Sequence, residues 1–408
     1  MSCRYSHTAV LGDVADYVSE KVEIENIKLK DYVSTENLLP NIGGVDLADS
    51  LPNISKVTKF NKRDILISNI RPYFKKIWLA NSSGGCSNDV LVLRTNDKID
   101  EVYLYYNLAC DKFFDYVMSG AKGTKMPRGD KKHILNFSIR LPSLDEQKAI
   151  AHILSTLDEK IEINNQINKK LEEMAQAIFK HWFVDFEFPN EDGEPYKSSG
   201  GEMVESELGM IPKGWKISGL DEIADYLNGL AMQKFRPKEN EKSYPVLKIK
   251  ELRQGFTDSS SDICSANIDK KYIIHDADII FSWSGSLLVD IWCGGVCGLN
   301  QHLFKVTSND FEKWFYYHWT KYHLDRFIGI AEGKATTMGH IKRKDLSDSK
   351  VLIPNKHIYT NASKLFKPIY DKIIESKIES RRLIALRDTL LPKLMSGEIR
   401  VTLDNQEL

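Results

Sequence analysis

The stretch LPSLDEQKAIAHILSTLDEKIEINNQINKKLEEMAQAIFKHWF, Leu141–Phe183, decides the fold. After Pro142 it holds no proline or glycine, so nothing in it interrupts a helix. Ser143 and Glu146 form the pattern S-x-x-E that marks a helix start. Leu154, Leu157, Ile161, Asn164, Asn168, Leu171, Ala175, Ile178 and Trp182 then follow at alternating spacings of three and four. That is a coiled-coil seam with a polar middle. No apolar run reaches membrane-spanning length. A helix of about 38 residues would be roughly 57 Å long.

The chain around this helix is written twice. LGDVADYV (11–18) recurs as LDEIADYL (220–227), and DILISNIRPYFKKIWLA (64–80) as DIIFSWSGSLLVDIWCG (278–294). GTKMPRGDKKHILNFSIRLP (123–142) aligns with ATTMGHIKRKDLSDSKVLIP (335–354), and 157–178 with 370–391. The offset stays between 209 and 214 residues in all four cases. Each copy starts with a mixed region. Runs such as DILIS and VLVLR read as strands; VYLYYNLACDKFFDYVMSG and EKWFYYHWTKYHLDRFIG read as helices closing on glycine.

A long helix closes each copy. The second seam runs through Tyr370, Ile374, Lys377, Arg381, Ile384, Asp388, Leu391 and Met395, with a break expected at Pro368. Each seam is too weak to stand alone, so the two are expected to pack antiparallel, with a polar layer of Asn164 and Asn168 near Lys377 and Arg381. The fold class expected is therefore α+β: two globular α/β regions and a pair of long helices, related by an internal pseudo-two-fold. The expected divisions are 1–142, first globular domain; 143–186, spacer helix; 187–213, linker; 214–354, second globular domain; 355–397, second spacer helix; and 398–408, tail.

Composition narrows the function classes. Net charge is −1 and 42 % of residues are hydrophobic, ordinary values for a globular chain. Six cysteines without paired spacing suggest reduced thiols in a cytoplasm. The first residues lack a secretory pattern. Basic residues cluster in AKGTKMPRGDKKH (121–133) and GKATTMGHIKRK (333–344), at matching places of the two copies. Cys293 and Cys297 have no second ligand pair, and the ten histidines show no metal spacing.

The long central segment through FVDFEFP, the following PYKSSGGEMVESELGMIPKGW, the tail LLPKLMSGEI and the run DIIFSWSGS resemble the specificity subunits of type I restriction–modification systems. The resemblance covers nearly the whole chain. It departs at IPNKHIYTNASKLFKP, where LP-x-x-EQ is usual. It implies two target-recognition domains, each reading half of an asymmetric bipartite site on double-stranded DNA. It also implies helices that space the domains and dock two methyltransferase subunits, through which restriction subunits join. S-adenosylmethionine, ATP and Mg2+ would belong to those partners; this chain would hold no cofactor and catalyse nothing. The chain accordingly has no Pro-Pro, and so no adenine-methyltransferase motif, and no G-x-x-x-x-G-K-[ST]. A cytoplasmic location without membrane contact follows.

DNA contacts call for Lys, Arg and hydroxyl side chains on loops. In copy one the candidates are Arg71, Lys75, Lys76, Lys122, Lys125, Arg128 and Lys131. In copy two they are Ser284, Ser286, Lys334, Thr336, Thr337, His340, Lys342 and Arg343. Each basic residue has solvent exposure alone as its rival role. The tyrosine-rich helices read as core, and Trp283 as either core or wedge. Phe179, Trp182 and Phe183 are candidates for subunit docking, with packing on the neighbouring domain as the alternative. Two other functions compete: a non-catalytic coiled-coil adaptor, and the specificity part of a fused restriction–methylation enzyme.

Overall fold

A computed structural model describes residues 7–333 and 339–401. They fall into two compact units. One comprises the residues up to Glu159 and those from Ile384 onward; the other is Lys160–Leu383.

In the first unit, an antiparallel sheet runs in the order Ala15–Tyr17, Val90–Thr95, Ile65–Ser68, Ile77–Leu79. All four residues of Ile65–Ser68 are buried, as expected of a central strand covered on both faces. A second sheet runs Lys21–Glu23, Lys56–Phe60, Gly84–Cys86, Tyr32–Val33, the last pair parallel. The helices Glu101–Leu108 and Asp111–Ser119 close one face with Tyr103, Leu104, Phe113 and Phe114. In the second unit the first sheet returns strand for strand, and the second returns in three of its strands, the fourth joining at the opposite edge. One sheet runs Asp225–Asn228, Leu303–Thr307, Ile279–Ser282, Leu288–Ile291. The other runs Ile263–Ser265, Ser243–Leu247, Cys297–Leu299, Ile273–Ile274, with one parallel contact. Helices Lys313–Tyr322 and Leu324–Glu332 follow. The chain is thus α+β, with the duplication carried into its topology.

Two long helices, α1 (Leu144–Phe179) and α2 (Lys356–Ser396), each pass through both units. In the first unit Arg140 donates to the Leu394 carbonyl, and Arg387 pairs with Asp158 at 2.7 Å. In the second, Asn164 donates to Ser380 Oγ at 3.3 Å, and Phe183 packs near Phe366. Later positions of α1 meet earlier positions of α2 in both, so the helices are antiparallel.

Three local readings change. Ser143 Oγ accepts from the Glu146 amide at 3.3 Å, but the Glu146 carboxylate turns to Arg140 at 2.7 Å, so the capping box is half formed. Helix α2 runs through Pro368 without a break. Pro368 lies on the exposed side, where a carbonyl lacking its donor is open to water, and buried Phe366 and Tyr370 anchor the turns on either side. The second seam is displaced by one residue. Ile373, Ser376 and Ser380 are buried, whereas Ile384 and Asp388 are exposed. Two serines let the helices approach closely, which a reading of large apolar residues overlooks.

The polar layer changes with it. Asn164 meets Ser380 and Glu379, the latter at 2.8 Å. Lys377 instead reaches Glu172 and Asp290, and Arg381 forms a forked pair with Asp276. Lys377 thus bridges the two helices through Glu172 as well as tying α2 to Asp290 of its unit's sheet, and Arg381 ties α2 to the loop carrying Asp276. The remaining seam positions Leu157, Leu171, Ile178, Ile374 and Leu391 are half-buried, and Ile161 is buried. The stretch 187–213 carries a hairpin, Met203–Ser206 with Gly209–Pro212, and Phe188 and Ile211 pack with Trp215 in the second unit's core.

Candidate nucleic-acid interface

In the first unit two loops are stitched together. Ile70 and Arg128 form an isolated antiparallel bridge; the Arg71 amide donates to the Pro127 carbonyl at 2.8 Å and the Gly129 amide to Asn69 at 3.1 Å. The strips 69–76 and 121–132 carry eight Lys and Arg against one Asp. In the second unit Ser284 and His340 form the matching bridge; Gly285 donates to Gly339 and Ile341 to Trp283. Each partner stands 214 or 212 residues after its counterpart. The two segments singled out in each repeat are therefore joined in both units, by the same pair of backbone hydrogen bonds.

The side chains sort into groups. Arg71 and Lys125 are exposed, with no ion pair among the described residues. Arg128 pairs with Asp89 at 3.1 Å but stays half exposed. Lys122 binds Asp130 at 2.7 Å and holds that carboxyl down to about 2. Lys131 is exposed, its ammonium 5.8 Å from the Tyr17 ring centre. Lys75 and Lys76 are structural: one pairs with Asp111, the other donates to the Thr35 carbonyl at 2.6 Å, and burial lowers its pKa. Both fasten the loop rather than reach outward.

In the second unit Ser284 is buried and its hydroxyl bonds His302 Nδ1 at 2.9 Å, which removes it from the surface set. Ser286, His340 and Lys342 are exposed. Arg343 reaches the Tyr226 carbonyl at 3.3 Å. Trp283 is half-buried and donates to Asn228 Oδ1, a packing role. Lys334, Thr336 and Thr337 lie outside the described residues.

Phe179 and Phe183 are core residues and not a docking surface. Their rings stack 5.1 Å apart, and Phe183, 0 % exposed, packs against Trp215, Trp314 and Phe366. Burying one such ring contributes roughly 1.5–3 kcal/mol. Trp182 is half-buried beside the same core. Exposed apolar residues of α1 beyond Leu144 at its start are instead Ile163, Ile167 and Met174, which share one helical face.

Sequence reasoning overlooked Tyr73 and Phe74. They are 47 % and 39 % exposed, and exposed Ile42 is tied to the same loop by its amide on the Lys75 carbonyl. The available signal was an aromatic pair set between Arg-Pro and Lys-Lys.

Burial pushes the thiols of Cys293 and Cys297 up to about 11 and about 12, far from ligating thiolates. Among the described residues no three His, Cys, Asp or Glu side chains gather as metal ligands. None of the described helices is long and apolar enough to cross a membrane.

The sequence pattern described as type I restriction modification DNA specificity domain matches the chain twice, at residues 8–173 and 212–381. The type I restriction enzyme MjaIX specificity subunit of Methanocaldococcus jannaschii is 31 % identical over 316 residues, covering 75 % of this chain and 70 % of the relative. The HindI specificity subunit of Haemophilus influenzae is 24 % identical over 454 residues, covering 95 % and 98 %. The crystal structure of a type I restriction–modification S subunit from M. genitalium superposes with a TM-score of 0.59 at 18 % identity, covering 98 % of both chains.

Proposed function

Since the chain belongs to the type I restriction–modification specificity subunits, we propose that it is the DNA-reading, non-catalytic member of such a complex. In this reading each unit contacts one half of a bipartite duplex site through its stitched loop pair. The observation that carries it is the duplication of that loop pair, with Arg71, Lys125 and Arg128 exposed in one copy and His340 and Lys342 in the other. Arg71 and Lys125, exposed and in no ion pair among the described residues, suit phosphate contact, and Arg128 with its neighbours suits base edges. Because loop residues differ between the copies, the two half-sites differ and the site is asymmetric.

Two methyltransferase subunits would dock on the long helices, using exposed faces such as Ile163, Ile167 and Met174. Restriction subunits would join through them. S-adenosylmethionine, ATP and Mg2+ would be bound by those partners, and the complex would work in the cytoplasm. Adenines would be flipped from the duplex for methylation.

Mapping methylated adenines in the host genome identifies the site. Duplex carrying it is then titrated with the complex across a salt series. Lys125→Ala with Arg128→Ala should weaken binding and flatten its salt dependence, because fewer counterions are released. An unchanged affinity and slope would remove these loops from the DNA interface. Binding without sequence preference would instead favour an adaptor.

A further inference from the structure

Among the described residues, four of the eight non-glycine residues with left-handed backbone sit in one patch of the first unit: Asn41, Ile42, Arg71 and Lys75, with φ of 55°, 60°, 49° and 52°. Such conformations are costly for residues with a side chain and persist only where their surroundings over-determine them. Here they do. The Asn41 amide donates to the Phe74 carbonyl at 2.8 Å and the Ile42 amide to Lys75 at 3.0 Å. Arg71 is tied to Pro127, Lys75 to Asp111 and Lys76 to Thr35. Pro72 is buried beneath the turn.

The result of all this fastening is an exposed tip. Tyr73 and Phe74 project as a tilted pair with ring centres 4.7 Å apart. Fastening a turn this firmly while leaving Tyr73 and Phe74 47 % and 39 % exposed is not explained by stability alone, even with the Lys76 ammonium 5.9 Å from the Phe74 ring centre. The tip follows Arg71 and its loop is joined by backbone to the strip that carries Lys125 and Arg128, so the partner of this tip is a polyanion rather than an apolar protein face.

We propose that Tyr73 and Phe74 form a wedge that enters the base stack of bound duplex DNA at one step beside the first half-site. This rests on the DNA-reading role argued above and deepens it. Apolar side chains on a rigid support can part a base step and kink the duplex, and the cost depends on the step being parted. The first half-site would then be read partly through deformability, most easily at a pyrimidine–purine step. In the second repeat the positions of Tyr73 and Phe74 hold Leu287 and Leu288, half-buried and partly within a strand. The wedge is thus a device of one repeat alone.

The test uses the full chain in complex with its partner subunits. Duplexes carry the mapped site with 2-aminopurine placed at successive steps. Wild-type complex should raise the fluorescence at one step next to the first half-site. Tyr73→Ala with Phe74→Ala should abolish that rise and weaken binding about tenfold, within the range of base–aromatic stacking. It should leave the salt slope unchanged, since no charge is removed. Tyr73→Phe should keep both signals. An unchanged affinity and no unstacking signal, with the Lys125 and Arg128 double variant still impaired, would overturn the wedge and leave DNA reading intact. If neither double variant changed binding, the DNA-reading role would fall with it. A Tyr73 and Phe74 variant that instead lost a methyltransferase subunit would show the tip to be a protein interface.

Discussion

Arg71 and Gly285 occupy the same position in the two repeats and share one left-handed backbone, with φ of 49° and 65°. Each donates its amide to the equivalent carbonyl, Pro127 in one unit and Gly339 in the other. Glycine adopts this conformation at no steric cost, whereas arginine is strained by about 1–2 kcal/mol. The first repeat therefore keeps a cation where the loop would prefer glycine.

Arg71→Gly separates loop stability from DNA contact. Thermal unfolding of the first unit should shift upward by a degree or two or stay unchanged, because relief of strain is partly offset by the entropy of glycine. DNA affinity should fall, and the salt slope should decrease by about one. A lowered melting temperature would show that Arg71 holds the fold; an unchanged slope would show that it does not meet phosphate.

The polar layer between the helices invites a second substitution. Asn164 Nδ2 is satisfied by Glu379 and Ser380, but Asn168 Oδ1 and Ser376 Oγ are buried without a hydrogen-bond partner among the described residues. A buried unsatisfied group costs roughly 1–3 kcal/mol. Asn168→Leu with Ser376→Ala should raise the second unit's melting temperature, by about 2–4 °C per kcal/mol gained. Differential scanning calorimetry reads this directly, and a drop would mean that the pair satisfies itself in solution.

Acid should loosen the second unit through His318. Its ring is stacked on Phe179 at 4.6 Å and its Nε2 shares a hydrogen bond with the Tyr370 hydroxyl at 2.8 Å, and burial holds its pKa down to about 3. The unfolded chain takes up a proton near 6.5 that the folded chain refuses until about 3. The stabilisation is therefore complete above 6.5 and is lost as pH falls through that window. The span corresponds to about 3–5 kcal/mol. His323, also lowered by burial, titrates in the same direction. His318→Gln should flatten the melting temperature between pH 6.5 and 5, above most carboxylates. An unaltered slope would assign the pH dependence elsewhere.

The helices can be tested as a ruler. Lys160 pairs with Glu379, and Asp158 with Arg387, so residues 159/160 of α1 lie opposite about 383/384 of α2. Four residues added at both places insert about one turn, roughly 6 Å, in each helix. Methylation mapping should then show both half-sites unchanged and their spacer longer by about one to two base pairs. The same insertion in α1 alone should mismatch the seam and lower stability. An active double-insertion complex with the original spacer would show that the helices do not set it.

The sequence alone determined the duplication, the long helices and the segments that carry the candidate interface. Those depend on periodicity and on recurrence at a fixed offset, which are linear properties of the chain. It also singled out Arg71, Lys125 and Arg128 as basic loop residues. Only the tertiary structure decided which cations are spent on fastening, as with Lys75 and Lys76, because pairing depends on neighbours such as Asp111 that lie far along the chain. It placed Phe179 and Phe183 in the core, since burial is decided by what the rest of the chain lays over a helix end. It moved the second seam onto Ser376 and Ser380, where small size rather than apolarity governs close approach. And it exposed Tyr73 and Phe74, whose composition suggests core, because backbone links to two other loops hold them outward.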